Sequence, residues 1–533
     1  MRESYDVIII GAGASGLASA WYLCKEGLKV AIFEQGKLLN EQDYIPINKG
    51  GEIQKFKDLN DNPNVRKHDY DYLINSDNSP IDIANFNGIG GSTILFSGHY
   101  PRFRKSDFKT FSNDKVGIDW PIDYTILKKY YEINERITGV AGISGNSNYP
   151  DIKNLLPPVP LGKMGYILAK GFRKLNWDWW PSYSSINTIP YNQRPADDYQ
   201  RPSNLGDVNM SKGSANNTYL PLAKSEGLII KERCIVSKLI CENNQIININ
   251  YIDNDGSFHQ AKAKIYIIAA SGIGTPRLLL NSQSTSSTNT IANKSNLVGK
   301  NLMLHPIGYI EGLYKENLYS NFGPQGCCLM SQEFHETKEE NGFKRGYTIQ
   351  ALRGPLPIES SLSLTNRKII TFGEKFWHEF ESNYNHSVHM IVITEDLPDI
   401  RNQITINKNL INKYDQPGVN INYTLSDNSK RMLSHGINNS RKVLKASGAY
   451  KTFGYGPVRG TGWHTLGTCR MGNNPKESVV NKYGKCHDVN NLFIIDGSVF
   501  PTSSCVNPAA TIQSLALYFS EKIISIYKEL LAF

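Results

Sequence analysis

The chain has 533 residues, of which 40% are hydrophobic and 20% charged, so it is long enough for two or more folding units and has the composition of a globular protein. It contains no run of about 18 apolar residues, which excludes an ordinary membrane-spanning helix. The net charge of +9 is spread along the chain without a dense basic block, so we expect no nucleic-acid partner. The eight cysteines form no C-x-x-C pair, and we expect neither a metal site nor a disulfide framework.

The N-terminal segment predicts a β-strand, a glycine-rich turn, a helix and a second strand. The apolar run "YDVIII" precedes "GAGASG", an apolar helical segment ends at Gly27, and "KVAIFE" then ends on Glu34. In such a unit Gly11 makes the tight turn, Gly13 lets the backbone approach a pyrophosphate, and Gly16 allows close packing of helix on strand. Glu34 follows Gly16 by 18 residues, where an acid accepts hydrogen bonds from a ribose. The pattern predicts a dinucleotide site.

The same segment is apolar enough to resemble a secretion signal. However, its glycines interrupt the apolar run and only Arg2 is basic before it, whereas a signal has a positively charged start and an unbroken apolar core. We therefore interpret it as part of the folded protein and expect a cytoplasmic location. Export to the periplasm by a partner protein is left open.

Glycines and periodic apolar residues define the next elements. The segment 88–98, "GIGGSTILFSG", is flanked by apolar residues, and we interpret it as backbone that runs against something flat rather than as a linker. Residues 117–142 predict a turn and an amphipathic helix closed by Gly139. Residues 228–270 predict strands that include a hairpin, and "GIGTPRLLL" then predicts a helix with Pro276 in its first turn.

The second half of the chain begins with a β-rich region. Residues 306–425 contain runs such as "SVHMIVITE" and "GVNINYTL", which indicate a mostly antiparallel sheet. A helix near 427–446 is predicted to end at Gly448.

Two segments near the C-terminus carry polar residues in positions that suit chemistry. His464 lies in "GWHTLGTCRMG", and from this stretch alone it fits a metal ligand, a nucleophile's partner, a general base or a buried residue without chemistry. Further on, "LFII" is a short buried strand that ends at Asp496, and an apolar helix follows with Pro508 at its favoured first position. Asn507 would then be the N-cap, and spacing alone favours capping over a functional role. The N-terminus of this helix would stabilise an anion placed before it.

The order and spacing of seven segments resemble the glucose–methanol–choline (GMC) family of FAD oxidoreductases. Within that family the chain looks most similar to bacterial sugar and polyol dehydrogenases and to enzymes that oxidise aminoglycoside alcohols. The resemblance spans essentially the whole chain and is least specific between about 310 and 420. The matching segments are "GAGASG" with Glu34, "GIGGST" at 88–93, "GIDWP" at 117–121, "AASGIGTPRLLL" at 269–280, "NLMLHP" at 301–306, "HTLGTCRMG" at 464–472 and "NLFIIDGSVFPTSSCVNP" at 491–508.

The resemblance implies a doubly wound, Rossmann-like α/β domain that binds FAD and a substrate domain with a mainly antiparallel sheet. We expect the FAD-binding domain to be assembled from three parts of the chain and the substrate domain from two. The expected FAD-binding parts are 1–150, 216–305 and 461–533, the last with the catalytic residues, and the expected substrate-domain parts are 151–215, a lid segment, and 306–460.

The resemblance also implies roles for individual residues. His464 would accept the hydroxyl proton of an alcohol while hydride passes to flavin N5, and Asn507 would donate a hydrogen bond to the developing alkoxide. The residues implied in binding FAD are Gly11, Gly13, Ala14, Ser15, Gly16, Glu34, Gly90, Gly91, Ser92, Val236, Asp496, Gly497 and Pro508.

Two departures from related enzymes bear on the cofactor and on the electron acceptor. Some family members link FAD covalently through a histidine shortly after the paired glycines, where this chain has Leu95, so we expect noncovalent FAD. Membrane-coupled sugar dehydrogenases that resemble this branch carry clustered cysteines for an iron–sulfur cluster, and residues 192–233 contain no cysteine. Electrons would then leave to O₂ or to a diffusible carrier.

From the resemblance we expect an FAD-dependent oxidoreductase that converts a CH–OH group of a sugar, polyol or amino-sugar-like small molecule into a carbonyl. Three alternatives stay open. The flavin could be structural in a lyase of the same family with no net redox chemistry, or the chain could bind a nucleotide without catalysis. The first strand–helix–strand unit could also hold NAD instead of FAD, since its pattern fits both.

Overall fold

The computed structural model describes residues 4–45, 49–282, 290–323 and 328–531, with side chains described as far as residue 528. The strands are β1 (Ser4–Ile10), β2 (Val30–Phe33), β3 (Ile74–Asn78), β4 (Trp180–Pro181), β5 (Ile229–Lys231), β6 (Ile235–Glu242), β7 (Gln245–Ile252), β8 (Phe258–Ile268), β9 (Ile307–Leu313), β10 (Leu329–Ser331), β11 (Tyr347–Leu352), β12 (Ser387–Thr394), β13 (Gln403–Ile411), β14 (Pro417–Asn422), β15 (Lys451–Tyr455) and β16 (Leu492–Ile494). The α-helices are α1 (Ala14–Lys25), α2 (Pro63–Arg66), α3 (Thr110–Asp114), α4 (Tyr124–Thr138), α5 (Gly162–Lys174), α6 (Tyr219–Ser225), α7 (Ser271–Leu280), α8 (Pro357–Asn366), α9 (Phe376–Asn383), α10 (Asp427–Ser447) and α11 (Ala509–Leu531). Across this described part of the chain, no helix is both long and apolar enough to cross a membrane.

A seven-stranded sheet contains the predicted N-terminal unit. Its parallel half has the order β5-β2-β1-β8, with β16 also parallel to β8. β1 is almost fully buried because it lies between two parallel neighbours, which explains its continuous apolar sequence. β8 extends beyond this region and pairs antiparallel with β7, which pairs with β6. The predicted strand, helix and strand at residues 5–34 are confirmed.

The substrate-side sheet has six antiparallel strands in the order β15-β9-β12-β11-β10-β4. α10 packs across one face, and Gly436 is required there because a Cβ atom would lie 2.5 Å from Val392 Cγ1. The opposite face of β9, β11 and β12 is open to a cavity. A doubly wound α/β sheet and a mainly antiparallel sheet are the predicted fold class, which is confirmed.

Two details of the region 306–425 differ from the prediction. The run "GVNINYTL" contains β14, which belongs to a separate three-stranded sheet with β13 and β3 rather than to the six-stranded sheet. The helices α8 and α9 also fall in this region. Alternation of apolar residues predicts a strand but not its partners, and one of the two partners of β14, β3, is about 345 residues away in the chain.

The helix predicted at "GIGTPRLLL" begins earlier than expected. α7 starts at Ser271, so Pro276 lies inside the helix and not in its first turn. Proline has no N–H for the carbonyl of Gly272, and Thr468 Oγ1 donates to that carbonyl instead at 2.7 Å. The helix therefore tolerates the proline. The hydrogen bond from Thr468 also connects α7 to the segment that carries His464.

The division of the chain into alternating FAD-binding and substrate-domain segments stays a prediction, and we propose the boundaries given above.

The C-terminal helix α11 packs against α1, where Ser19 Oγ and Ser520 Oγ are 2.8 Å apart.

Candidate active site

A cavity of about 770 Å³ lies between the two larger sheets. One end is formed by the residues that follow β1, β2 and β8, at the carboxyl ends of parallel strands, which is where doubly wound folds bind dinucleotides. The other end contains His464 and Asn507. All the residues predicted to bind FAD line this cavity except Gly16 and Gly90.

The glycines of the first turn are required for different reasons. Gly11 has a φ of 104°, in the left-handed region that favours glycine. A Cβ atom on Gly16 would lie 2.0 Å from the Gly11 carbonyl oxygen, so Gly16 is fixed by packing of the protein on itself. A Cβ atom on Gly13 would meet no protein atom closer than 3.9 Å. Gly13 is thus open to the cavity, as backbone that approaches a ligand must be.

The second glycine cluster packs on the first. The Gly90 N–H donates to the Ala12 carbonyl at 2.8 Å, and a Cβ atom on Gly91 would lie 2.8 Å from Gly13 Cα. The segment 88–98 therefore runs closely against the backbone of the first glycine turn. Gly91 and Ser92 face the cavity, whereas Gly90 supports the turn from behind.

Two buried carboxylates face the cavity. Glu34 accepts hydrogen bonds from the N–H groups of Ala12, at 2.8 Å, and Gly36, at 2.9 Å. Burial raises the pKa of Glu34, and these two N–H groups oppose that rise. Asp496 accepts from Thr275 Oγ1 at 2.5 Å and from the Ser498 N–H at 2.9 Å, and burial raises its pKa too.

These features fit an FAD molecule. The N-terminus of α1 presents unpaired N–H groups beside Ala14 and Ser15, which suits a pyrophosphate, and the open face of Gly13 leaves room for it. The carboxylate of Glu34 would receive the ribose hydroxyls. Leu95 lines the cavity with an aliphatic side chain that cannot form a covalent bond to the flavin.

His464 is held in one tautomer by a neighbouring histidine. His305 Nε2 lies 3.1 Å from the Ser503 carbonyl, which can only accept, so this nitrogen carries the proton. Burial lowers the pKa of His305 to about 4, which keeps the ring neutral and leaves a lone pair on Nδ1. His305 Nδ1 is 2.9 Å from His464 Nδ1, which must then donate. The remaining nitrogen of His464, Nε2, keeps its lone pair.

His464 is also neutral at physiological pH. Burial lowers its pKa well below the ordinary value of 6.5, and the nearby His305 and His99 lower it further. Its side chain is only partly exposed, and it lines the cavity. A neutral imidazole with a free Nε2 lone pair is the form that accepts a proton.

Asn507 is held by a glutamine. Gln350 Nε2 in β11 donates to Asn507 Oδ1 at 2.7 Å, so the amide nitrogen of Asn507 is left as a hydrogen-bond donor. α11 begins at Ala509, one residue later than predicted, and Ile512 N donates to the Pro508 carbonyl. The prediction that Asn507 is the N-cap is therefore wrong by one residue, and its oxygen bonds to a neighbouring strand instead.

A buried ion network anchors the loop that carries Asn507. Ser504 Oγ donates to Asp107 Oδ2 at 2.9 Å, and Arg345 Nη2 donates to Asp107 Oδ1 at 2.7 Å. Arg345 also bonds to Glu395 at 2.9 Å. Burial alone would raise the pKa of Asp107, but the hydrogen-bonded His335 and the charge of Arg345 lower it overall. Because Ser504 is bonded to Asp107 and Asp107 to Arg345, the network ties the loop to the substrate-side sheet.

Two residues of this site were not singled out from the sequence. His305 lies in the segment "NLMLHP", which was assigned to the family but given no role. Gln350 gives no sequence signal, since its contact with Asn507 joins residues 157 positions apart.

Comparison with known proteins gives the class of this chain. Residues 6–43 match the FAD dependent oxidoreductase family, and residues 167–307 and 398–516 match the N- and C-terminal regions of GMC oxidoreductases. The chain is 32% identical to a 2-methyl-1,2-propanediol dehydrogenase from Mycolicibacterium austroafricanum, over 97% of this chain and 94% of that protein. The site and these matches define an FAD-dependent oxidoreductase. The chain belongs to the GMC oxidoreductase family.

Two other proteins are similar along their whole length. The fructose dehydrogenase large subunit of Gluconobacter japonicus is 26% identical over 99% of both chains. The crystal structure of pyridoxine 4-oxidase from Mesorbium loti has the same fold, with a TM-score of 0.66 at 16% identity over 98% of this chain and 99% of that one. The predicted family, enzyme class and FAD cofactor are confirmed.

Proposed function

We propose that this enzyme oxidises a CH–OH group of a polyol-type alcohol, such as a diol, sugar or amino sugar, to a carbonyl. The observation that carries the proposal is the hydrogen-bonded series from the Ser503 carbonyl through His305 to His464, which leaves a neutral base in the cavity. The names of the two sequence relatives, a diol dehydrogenase and a fructose dehydrogenase subunit, support a substrate with several oxygen atoms.

The chain's own residues would act on the hydroxyl group. An alcohol releases hydride readily only as its proton leaves, so His464 Nε2 would take that proton. The Asn507 amide would donate a hydrogen bond to the oxygen as negative charge develops there. The N-terminus of α11, just after Asn507, adds positive potential at the same place. Bound FAD supplies the acceptor for the hydride.

The proposal is tested by the visible spectrum of the purified protein under anaerobic conditions. Diols, sugars, sugar alcohols and amino sugars are added in turn, and one of them is expected to bleach the flavin. Turnover of a cyanohydrin without bleaching would instead establish the lyase alternative. A colourless protein that binds NAD would overturn the proposal.

The pH dependence of kcat/KM should follow the protonation of His464. Because the neutral form is the base and burial holds its pKa below 6.5, kcat/KM is expected to be constant from about pH 6.5 to 8. At pH values below that range, kcat/KM should decrease as His464 gains a proton. A profile measured from pH 4.5 to 8 checks this, and an acid limb centred at or above pH 6.5 would contradict it.

His305 should act as a positioning residue for His464. A His305→Phe variant keeps a ring of similar size but removes the acceptor for His464 Nδ1, so the tautomer is no longer fixed. We expect kcat/KM to fall roughly 10- to 100-fold, less than the loss of the base itself, with FAD still bound. The acid limb of the pH profile should also shift. A fall in kcat/KM without that shift would indicate a purely structural role.

A further inference from the structure

The substrate side of the cavity is bounded by an apolar wall. Side chains of β9, β11 and β12 that point into the cavity form it together. The wall consists of Ile307, Tyr309, Leu352, Ile391 and Ile393. Gln350, which holds Asn507, pairs with Ile391 in the sheet, so the wall begins beside the proposed catalytic residues. A substrate that reaches His464 must lie along aliphatic surface.

The charged and aromatic polar groups next to this wall are bonded to one another, whereas Gln350 Oε1 has no hydrogen-bond partner among the described residues. His389 bonds to the Tyr309 hydroxyl and, at 2.6 Å, to Ser387 Oγ. Glu311 and Arg367 form an ion pair. Because these groups satisfy one another, they offer little to a ligand.

Arg353 is different. It follows β11, lines the cavity and is only 4% exposed. Among the described residues, its Nε and Nη1 atoms have no hydrogen-bond partner, and no carboxylate forms an ion pair with it. The nearby Asp197 bonds instead to Ser211 Oγ and to the Tyr199 N–H. Burial lowers the pKa of Arg353 to about 10, but the guanidinium stays charged at pH 7.

A buried cation without a counter-ion destabilises a protein unless a ligand supplies the negative charge. A guanidinium presents paired N–H donors whose geometry matches the two oxygens of a carboxylate. Arg353 follows Gln350 by three residues, which in a strand is about 10 Å. Leu352 lies between them on the apolar wall. The anion and the reacting hydroxyl would thus be separated by several carbon atoms.

We propose that Arg353 binds the carboxylate of a hydroxy acid whose aliphatic part lies on the apolar wall and whose hydroxyl group reaches His464. This inference rests on the proposed oxidation of a CH–OH group, and it extends the substrates from neutral polyols to hydroxy acids. The carboxylate is bound without being changed. Amino sugars are disfavoured, because Arg353 repels an ammonium group, and neutral diols bind without the ion pair.

The experiment compares matched substrates with the FAD-loaded enzyme. The pairs are 4-hydroxybutanoate with 1,4-butanediol and 6-hydroxyhexanoate with 1,6-hexanediol. We expect a kcat/KM at least about 10-fold higher for one of the acids than for its diol. In Arg353→Gln, kcat/KM for that acid should fall roughly 30-fold or more, as on loss of one partner of a buried charge pair, and kcat/KM for the diol should change less than about threefold.

Arg401→Gln is the matched control, since the Arg401 side chain is 83% exposed and pairs only with Asp399 among the described residues. This variant should behave as the wild type with every substrate. The inference would be overturned if the wild-type enzyme had the same kcat/KM for each acid as for its diol. An equal decrease in kcat/KM for acid and diol in Arg353→Gln would also overturn it. Loss of FAD from Arg353→Gln would also overturn it, by assigning Arg353 to the cofactor.

A binding measurement separates this inference from the proposed function. Hexanoate has the carboxylate but no hydroxyl group to oxidise, and its binding to the FAD-loaded protein is followed by the change in the flavin spectrum and by calorimetry. Binding by the wild type that is lost in Arg353→Gln supports the carboxylate site even if no alcohol bleaches the flavin. Absence of hexanoate binding to the wild type overturns the site even if a neutral alcohol is oxidised.

Discussion

Replacement of His464 by alanine is expected to lower kcat/KM by about 10²- to 10⁴-fold, the usual contribution of a general base, while FAD stays bound. Because the adenosine half of the cofactor is expected to be held by the glycine turn and Glu34 and not by His464, loss of His464 should not weaken its binding. The measurement combines steady-state kinetics with the ratio of flavin to protein absorbance. Anaerobic reduction by the best alcohol substrate should slow by the same factor.

The matched control is His259→Ala. His259 is a partly exposed histidine that pairs with Asp253 at 2.6 Å in the hairpin between β7 and β8. It is expected to change neither kcat/KM nor flavin content. Near-full turnover by a flavin-loaded His464→Ala variant would contradict the assignment of His464 as the base.

The two ends of the cavity differ in how they are held. At the nucleotide end, backbone packs on backbone, as where Gly91 touches Gly13. At the other end, side chains fix one another: His305 sets the proton on His464, and Gln350 sets the amide of Asn507. The first arrangement needs particular glycines, whereas the second needs side chains from distant strands to meet.

This difference explains what the sequence could predict. The glycine turn after β1 was predicted from the sequence, because tight turns and close helix packing depend on local spacing of glycines such as Gly11 and Gly16. The role of the individual residues in binding FAD stays a prediction. Helix ends were also predicted where a glycine follows directly, as at Gly139 and Gly448. The assignment of His464 and Asn507 came from the family resemblance and stays a prediction.

The rest depends on contacts between distant residues. Nothing in the local pattern of Gln350 or Arg353 distinguishes them from other polar residues at the end of a strand. Their proposed roles depend on their surroundings: Gln350 bonds to Asn507, and Arg353 has no counter-ion in the described part of the chain. The prediction of the sheet that contains β14 was wrong for the same reason, since alternation of apolar residues cannot identify the neighbouring strand.

Replacement of Gly16 and Gly13 by alanine should separate folding from cofactor binding. In Gly16→Ala the added Cβ atom would lie 2.0 Å from the Gly11 carbonyl oxygen, so α1 must move away from β1. We expect the apoprotein to lose about 3 kcal/mol or more, the upper range for overpacking, and to retain little FAD. In Gly13→Ala the new atom meets no protein atom within 3.9 Å, so the stability of the apoprotein should stay within about 1 kcal/mol of the wild type.

The FAD affinity of Gly13→Ala should nevertheless fall at least about 10-fold, because the methyl group occupies the space through which the backbone reaches the pyrophosphate. Denaturant unfolding of the apoproteins and titration of each with FAD measure the two quantities separately. Since FAD stabilises the folded state by mass action, both variants should also unfold at lower temperature than the wild type when FAD is present. Undiminished FAD affinity in Gly13→Ala would mean that the pyrophosphate lies elsewhere in the cavity, and unchanged stability in Gly16→Ala would mean that the turn can yield without cost.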